Sequence, residues 1–337
     1  MTTIRDVARR AGVAISTVSL ALNGKGPISA ETVQRIRAIA DDMGYVPSAM
    51  AQGLKRGLNN RLIGVVLGDV GNPFFGNLLR GIDSVVSEAD HMLIVAVSAT
   101  EGDREVNTLQ QLRRNRVGGI IMAPLRNDPA FATYLRQIDV PVVLIDQYVD
   151  GVKLDFVTSD NELTTTMLTE YLIRLGHRRI CYLGGREHWW TAQLRLAGFR
   201  KAMNAAEIEI DPSLEIIANF DGGKAYDHVA RLLSLPHRPT AIVAASNLMA
   251  LGALQAINDL GFRCPDDISL TGVDDVPWAS VIQPRITTVV QPVEELATVA
   301  ANWMIERIHT RGGAALPPRK HVGMPRLVVG TSCAPPR

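Results

Sequence analysis

Two hydrophobic rhythms divide this chain. Up to about residue 61 apolar positions recur at helical spacing, and from Leu62 short apolar runs alternate with amphipathic segments. In the first stretch Ile4, Val7, Ala8 and Ala11 share one helical face. Thr3 suits its N-cap, Asp6 faces the open amides of its first turn, and Gly12 ends it. A second helix starts near Ile15, with Val18 and Leu22 turned inward and Ile15, Ser16, Ser19 and Leu20 on other faces. Ser29 caps a third, whose buried stripe is Val33, Ile36, Ala40 and Met43, with Gly44 past its end. Two short helices joined by a Gly12-Val13 corner form the layout of a helix-turn-helix, whose second helix enters a DNA major groove.

From Leu62 the expected strands are Leu62–Leu67, Met92–Val97, Gly119–Ala123, Val142–Ile145, Ile180–Leu183, Ala241–Ala244 and Ile268–Thr271. Expected helices lie near Phe75–Ala89, Arg104–Arg114, Leu163–Leu175, Arg195–Ala205, Ala225–Leu233, Leu248–Leu260 and Glu294–Arg307. Continuous apolar strands separated by helices indicate parallel sheets covered on both faces. There is enough of this pattern for two lobes.

Composition changes this picture only through its distribution. The 337 residues carry a net charge of +1. Residues 1–61 hold nine Lys/Arg against four acids, so a basic head precedes a mildly acidic body. A polyanion is the expected partner of the head alone. Cys181, Cys264 and Cys333 lie far apart and show no metal-ligand spacing, as the seven histidines also do not. No metal or cofactor is expected. The N-terminus lacks an apolar signal core and no apolar run approaches membrane-spanning length, so the expectation is a cytoplasmic protein.

The segment from Tyr45 to Leu54 contains Pro47, suited to a first helical turn, and Gly53, which costs a helix about 1 kcal/mol. It is shorter than the roughly 12–15 residues an isolated helix needs, so it is expected to be helical only when packed against a partner. The expected division is a DNA-binding head over 1–46, a hinge helix and linker over 47–61, and a two-lobed body over 62–337.

Ile4-Arg5-Asp6-Val7-Ala8 through Ala11-Gly12-Val13, then Thr17-Val18-Ser19, Leu22-Asn23-Gly24 and Gly44-Tyr45-Val46-Pro47, resemble the head of the lac-repressor/galactose-repressor family of bacterial transcription regulators. In the body Asn72-Pro73-Phe74-Phe75, Pro141 to Asp146, Gly176-His177-Arg178, Arg195 to Phe199 and Thr288 to Pro292 resemble the family in order. The resemblance covers essentially the whole chain. It implies a helix-turn-helix head and a periplasmic-binding-protein-like α/β body. It implies a homodimer reading a near-palindromic operator, with a small-molecule effector, a sugar or sugar derivative, in the cleft between lobes.

By the same resemblance Ile15, Ser16 and Leu20 read bases and Thr17 and Ser19 lie nearer phosphates. Thr3, Asn23 and Tyr45 belong to the same surface. Ala51 lines the paired hinges, and Leu54 wedges into the minor groove and kinks the duplex. Ala14 stands where relatives usually place a capping hydroxyl, and Leu20 replaces a frequent arginine that would pair with guanine. A less guanine-dependent half-site is expected.

The cleft also follows from the pattern of elements, because open α/β sheets bind ligands at the carboxyl ends of their strands. Phe74, Phe75, Asp146, Gln147, Phe220, Asn247 and Asp274 follow strand ends, and Trp190 and Arg195 come from a loop entering a helix. Aromatic faces with hydrogen-bonding groups suit a sugar. Phe74 or Phe75 could equally be core or dimer packing, and Arg195 with Asp274 could be a structural ion pair. An enzyme on this scaffold, such as a sugar kinase, would need a phosphate-cradling loop. Neither G-x-x-x-x-G-K-[ST] nor a nucleophile elbow nor HExxH occurs, so no enzyme is expected.

Overall fold

The computed structural model describes residues 2–22, 24, 26–45, 61–98, 102–281, 283–310 and 316–337. Asn23, Ala51, Leu54 and the expected hinge helix lie outside the described residues. The chain forms two compact units, Met1–Asn59 and Asn60–Arg337.

The first unit holds α1 (Ile4–Ala11), α2 (Ile15–Leu22) and α3 (Ala30–Asp42). Its core is Val7, Ala8, Ala11, Val18, Ala21, Ile36 and Ala40, with Val13, Leu22, Val33, Met43 and Tyr45 packed against it. Helix α1 is closed at its start by Asp6, which accepts from the Thr3 amide at 3.0 Å and hydroxyl at 2.6 Å. These bonds hold the Asp6 carboxyl below its ordinary range. Gly12 ends α1 at φ +66°, a left-handed position that favours glycine. Helix α2 begins on the Ala14 carbonyl, which accepts from the Thr17 and Val18 amides. Alanine supplies no side-chain cap there.

The second unit is built from two six-stranded sheets. Strands β1 (Leu62–Leu67), β2 (Met92–Val97), β3 (Gly119–Met122), β4 (Val142–Ile145), β5 (Asp155–Ser159) and β11 (Lys320–Gly323) form one, in the order β11-β5-β4-β3-β1-β2. Strands β6 (Ile180–Gly184), β7 (Glu215–Ile217), β8 (Ala241–Ala244), β9 (Ser269–Val273), β10 (Thr287–Val290) and β12 (Arg326–Val328) form the other, in the order β12-β10-β9-β8-β6-β7. All neighbours are parallel except β12, which pairs antiparallel with β10.

Helices α4 (Pro73–Glu88), α5 (Gly102–Arg114), α6 (Pro129–Arg136) and α11 (Val293–His309) accompany the first sheet. Helices α7 (Asn161–Arg174), α8 (Trp190–Ala205), α9 (Gly222–Leu233) and α10 (Asn247–Asp259) accompany the second. The chain therefore crosses between lobes three times, after β5, after β10 and after β11. The close approach of α7 and α8 depends on Gly198, where a Cβ would lie 2.0 Å from the Glu162 carbonyl oxygen.

Five strands and α6 escaped the sequence reading. β5 opens on Asp155, and β7, β10, β11 and β12 are three- or four-residue pieces at or beside sheet edges. α6 is announced by Asp128-Pro129, with the Asp128 carboxylate accepting from the Phe131 amide at 2.9 Å. Helices α7 to α10 begin one to five residues earlier than expected. Trp190 and Arg195 consequently lie on α8 itself, not in a loop before it.

Candidate functional site

A cavity of about 270 Å³ lies between the two lobes of the body, at the carboxyl ends of their strands. Phe74, Phe75, Asp146 and Gln147 line it from the first lobe, and Arg195, Phe220, Asn247 and Asp274 from the second. Asp146 follows β4 and Asp274 follows β9, and each has φ +65°. Each donates its amide to the next strand, Asp146 to the Val157 carbonyl and Asp274 to the Val289 carbonyl, both at 2.9 Å. Left-handed backbone is tolerated better by aspartate than by most residues, and here it turns both chains out of their sheets at the cleft.

Burial pushes the Asp146 carboxyl up to about 6, against the pull of Arg195 and with the nearby Asp274 adding to the rise. Burial also pushes Asp274 up, again against Arg195 and against hydrogen bonds from Gln291. The Gln291 side chain donates to Asp274 Oδ2 at 2.7 Å. Arg195 is 6% exposed and is held by two bonds that aim it. Nε donates to Asn161 Oδ1 at 2.8 Å and Nη1 to the Ala245 carbonyl at 2.7 Å. Its guanidinium carbon lies 5.7 Å from the centre of the Phe220 ring.

Trp190 is the exception among the expected cleft residues. It packs in the first lobe's core against Phe156 and Tyr148, with ring centres 5.2 and 6.3 Å away. Its neighbour Trp189 lines the cavity instead, 5.6 Å from Phe220. The two rings leave the start of α8 about 100° apart, so one faces the cavity and the other faces away.

Sequence reasoning also missed Asn72, Arg186, Thr191 and Gln291, all of which line the cavity. Two of them link the lobes. Gln147 Nε2 donates to the Thr191 hydroxyl at 2.6 Å while the Thr191 amide donates back to Gln147 Oε1 at 3.2 Å. Asn247 Nδ2 donates to Asn72 Oδ1 at 3.1 Å. The Asn72-Pro73 and Gln291-Pro292 pairs carried the signal, because Asn72 also caps α4 by accepting from the Phe74 amide. Gln291 Oε1 and Arg186 Nε are buried with no hydrogen-bond partner, leaving the cavity an open acceptor and an open donor.

On the head, Ile15 and Leu20 project from α2 at 45% and 40% exposure, with Ser16 also exposed. Thr17 and Ser19 are half-buried on the same helix. Thr3 is exposed at the start of α1, and Tyr45 is half-buried against the head's core. Arg5, Arg9 and Arg10 on α1 and Arg35 and Arg37 on α3 are exposed elsewhere on the head, with Arg9 paired to Asp6 and Arg10 to Asp42. A helix presenting two apolar side chains and a hydroxyl, on a head with exposed arginines, has the composition of a major-groove reader. Among the described residues no group of His, Cys, Asp and Glu could hold a metal ion, and no helix is long and apolar enough to cross a membrane.

Residues 3–48 match the lacI family of bacterial regulatory proteins, and residues 169–333 match a periplasmic binding protein-like domain. The chain is 33% identical over 310 residues to the ribose operon repressor of Escherichia coli, covering 91% of this chain and 93% of that one. It superposes on the lac repressor dimer bound to operator and an anti-inducer with a TM-score of 0.84 and 27% identity, over 99% of both chains. A LacI family regulator from Enterococcus faecium with bound ribose matches with a TM-score of 0.73 and 25% identity, over 82% of this chain and all of that one. Head, body and whole-length likeness agree: the chain belongs to the lacI family of bacterial regulatory proteins and is a DNA-binding transcription regulator.

Proposed function

We propose that the cavity binds an uncharged monosaccharide and that its occupancy sets the affinity of a homodimer for a near-palindromic operator in the cytoplasm. The observation that carries this is the charge of the cavity. Among the described residues Asp69, Asp146, Asp221 and Asp274 line it against Arg186 and Arg195. A phosphorylated sugar or sugar acid would add negative charge to a site already rich in carboxylates. A neutral polyol offers hydroxyls that donate to Asp146 and Asp274 and accept from Arg195. Its apolar ring face meets Trp189, Phe220, Phe74 and Phe75.

The volume is slightly below the roughly 300–1,000 Å³ of drug-sized pockets, which fits a single sugar ring. The ribose-bound neighbour and the ribose operon relatives support a pentose as the first ligand to test. On the operator side Ile15 and Leu20 are positioned for thymine methyl groups, with Ser16 beside them and phosphate contacts from Thr17, Ser19 and the arginines.

The test is a thermal-shift and calorimetric comparison of ribose, other neutral sugars and ribose 5-phosphate, repeated with operator DNA selected from random duplexes. Neutral sugar is expected to bind and to change operator affinity, and selected half-sites are expected to carry thymines facing α2. A tighter grip on the phosphorylated sugar would overturn the ligand reading. Half-sites whose information sits at guanines facing α2 would overturn the operator reading.

A further inference from the structure

A second cavity, of about 420 Å³, is lined by Tyr148, Phe156, Trp190, Lys153, Arg319 and Lys320 with small apolar neighbours. It shares two chain segments with the first cavity but none of its lining side chains. Gln147, Trp189 and Thr191 face the first, and their neighbours Tyr148 and Trp190 face the second. The floor is aromatic. Tyr148, Phe156 and Trp190 touch one another with ring centres 5.0 to 6.3 Å apart. Trp190 belongs to α8 of the second lobe yet packs into the core of the first, so the floor joins the two lobes.

The walls are cationic, and among the described residues no carboxylate lines the cavity. Arg319 is already engaged by Asp155 and Glu306 and lies 4.6 Å over the ring of Trp303. Its Nε is buried without a hydrogen-bond partner. Lys153 and Lys320 are exposed and make no ion pair among the described residues. The local field is therefore positive over an aromatic floor whose rings are tilted against one another by 52 to 85°. This is the reverse of the first cavity, where carboxylates dominate.

We propose that this second cavity is a binding site for a small anion carrying a flat ring, with the chemistry of a nucleoside monophosphate. The base stacks on the Trp190 ring, with the Tyr148 ring tilted 52° to it against the base's edge, as bases stack on aromatic side chains elsewhere. The phosphate faces the Lys153 and Lys320 ammonium groups, whose attraction is long-ranged and screened by salt.

The experiment is calorimetry on the full chain with AMP, adenosine and inorganic phosphate as separate probes, at low and high salt. AMP is expected to bind more tightly than either fragment and to weaken as salt rises. Replacing both lysines, Lys153→Ala with Lys320→Ala, is expected to lower AMP affinity roughly tenfold. Both positions are on the surface, so folding is retained. Asp274→Asn, in the first cavity, is expected to leave AMP binding unchanged. No AMP binding at millimolar concentration, equal binding of inorganic phosphate, indifference to the lysine substitutions, or loss of AMP binding in Asp274→Asn would each overturn the proposal.

Discussion

Replacing Asp146 by asparagine tests the electrostatics of the cavity between the lobes without any ligand. An unfolded aspartate titrates near 3.9. Folding buries this one and pushes it up to about 6, with Asp274 adding to the rise and Arg195 resisting it. The folded state therefore holds the proton more tightly than the unfolded state. The sign follows: relative to a neutral side chain, stability is full below about pH 4, falls between about pH 4 and 6, and stays low above. A rise of roughly two units is worth about 3 kcal/mol at pH 8 and about 1.5 kcal/mol at pH 5. Asp146→Asn keeps the shape and removes the titration. Whatever fixed amount the amide gains or loses against Arg195 cancels when two pH values are compared. The variant is thus expected to gain about 1.5 kcal/mol more over the parent at pH 8 than at pH 5. Urea unfolding at both values, followed by tryptophan fluorescence, measures the difference. A gain that is equal at both pH values, or larger at pH 5, would refute the account of a strained, buried carboxylate.

Four further outcomes follow from the same geometry. Sugar binding that uses the Asp146 carboxylate as an acceptor is expected to weaken about tenfold from pH 7.5 to pH 5, as that group takes up its proton; a pH-independent titration in a calorimeter would contradict it. Gly185→Ala places a Cβ 2.1 Å from the Phe220 ring, so the ring must leave its place. A cost of about 1–3 kcal/mol in stability is expected, with a clear loss of sugar affinity. Arg307→Met removes both bonds at 2.7 and 2.9 Å to Asp155, a fully buried carboxylate, and should destabilise the body by about 3–5 kcal/mol in urea unfolding. Asp6→Ala opens the start of α1 by removing both bonds to Thr3, and the head's helical circular dichroism is expected to be lost at a lower temperature on heating.

Much of the fold was legible because burial writes itself into strands as continuous apolar runs. β1, β2, β4 and β8 lie where Leu62–Leu67, Met92–Val97, Val142–Ile145 and Ala241–Ala244 put them. The edge strands β7, β11 and β12 were silent for the complementary reason, since Glu215, Lys320 and Arg326 keep a solvent-facing composition. β5 was silent for another, because its first residue, Asp155, is a buried acid whose partners Arg307 and Arg319 come from more than 150 positions away. Spacing along the chain cannot show such a partner. The two tryptophans fail in the same way. Local sequence says that Trp189 and Trp190 begin a helix, but which of them faces the cavity depends on where Tyr148 and Phe156 lie. Asp146, Asp274 and Asn247 were findable, because strand ends in an open sheet are places where ligands bind; the two aspartates follow β4 and β9 directly, and Asn247 opens the helix three residues after β8.

The two lobes repeat one topology, and the repeat explains the form of the cavity between them. The order β5-β4-β3-β1-β2 in one sheet recurs as β10-β9-β8-β6-β7 in the other. Equivalent backbone bonds close equivalent strand ends, from Ala123 to Val66 and from Ala245 to Leu183, and from Asp146 to Val157 and from Asp274 to Val289. Duplication thus places two left-handed aspartates across one cleft. Two buried carboxylates facing each other would be unfavourable, and one cation between them relieves part of that. Arg195 breaks the symmetry, because it stands on α8 of the second lobe alone and is aimed by Asn161 and the Ala245 carbonyl. One positive charge shared by two acids leaves both carboxyls raised, as the direction of both shifts shows. A ligand whose hydroxyls donate to both acids relieves what the arginine leaves, and it does so only when both lobes are in reach. We propose that this residual strain is what a ligand relieves when it draws the lobes together.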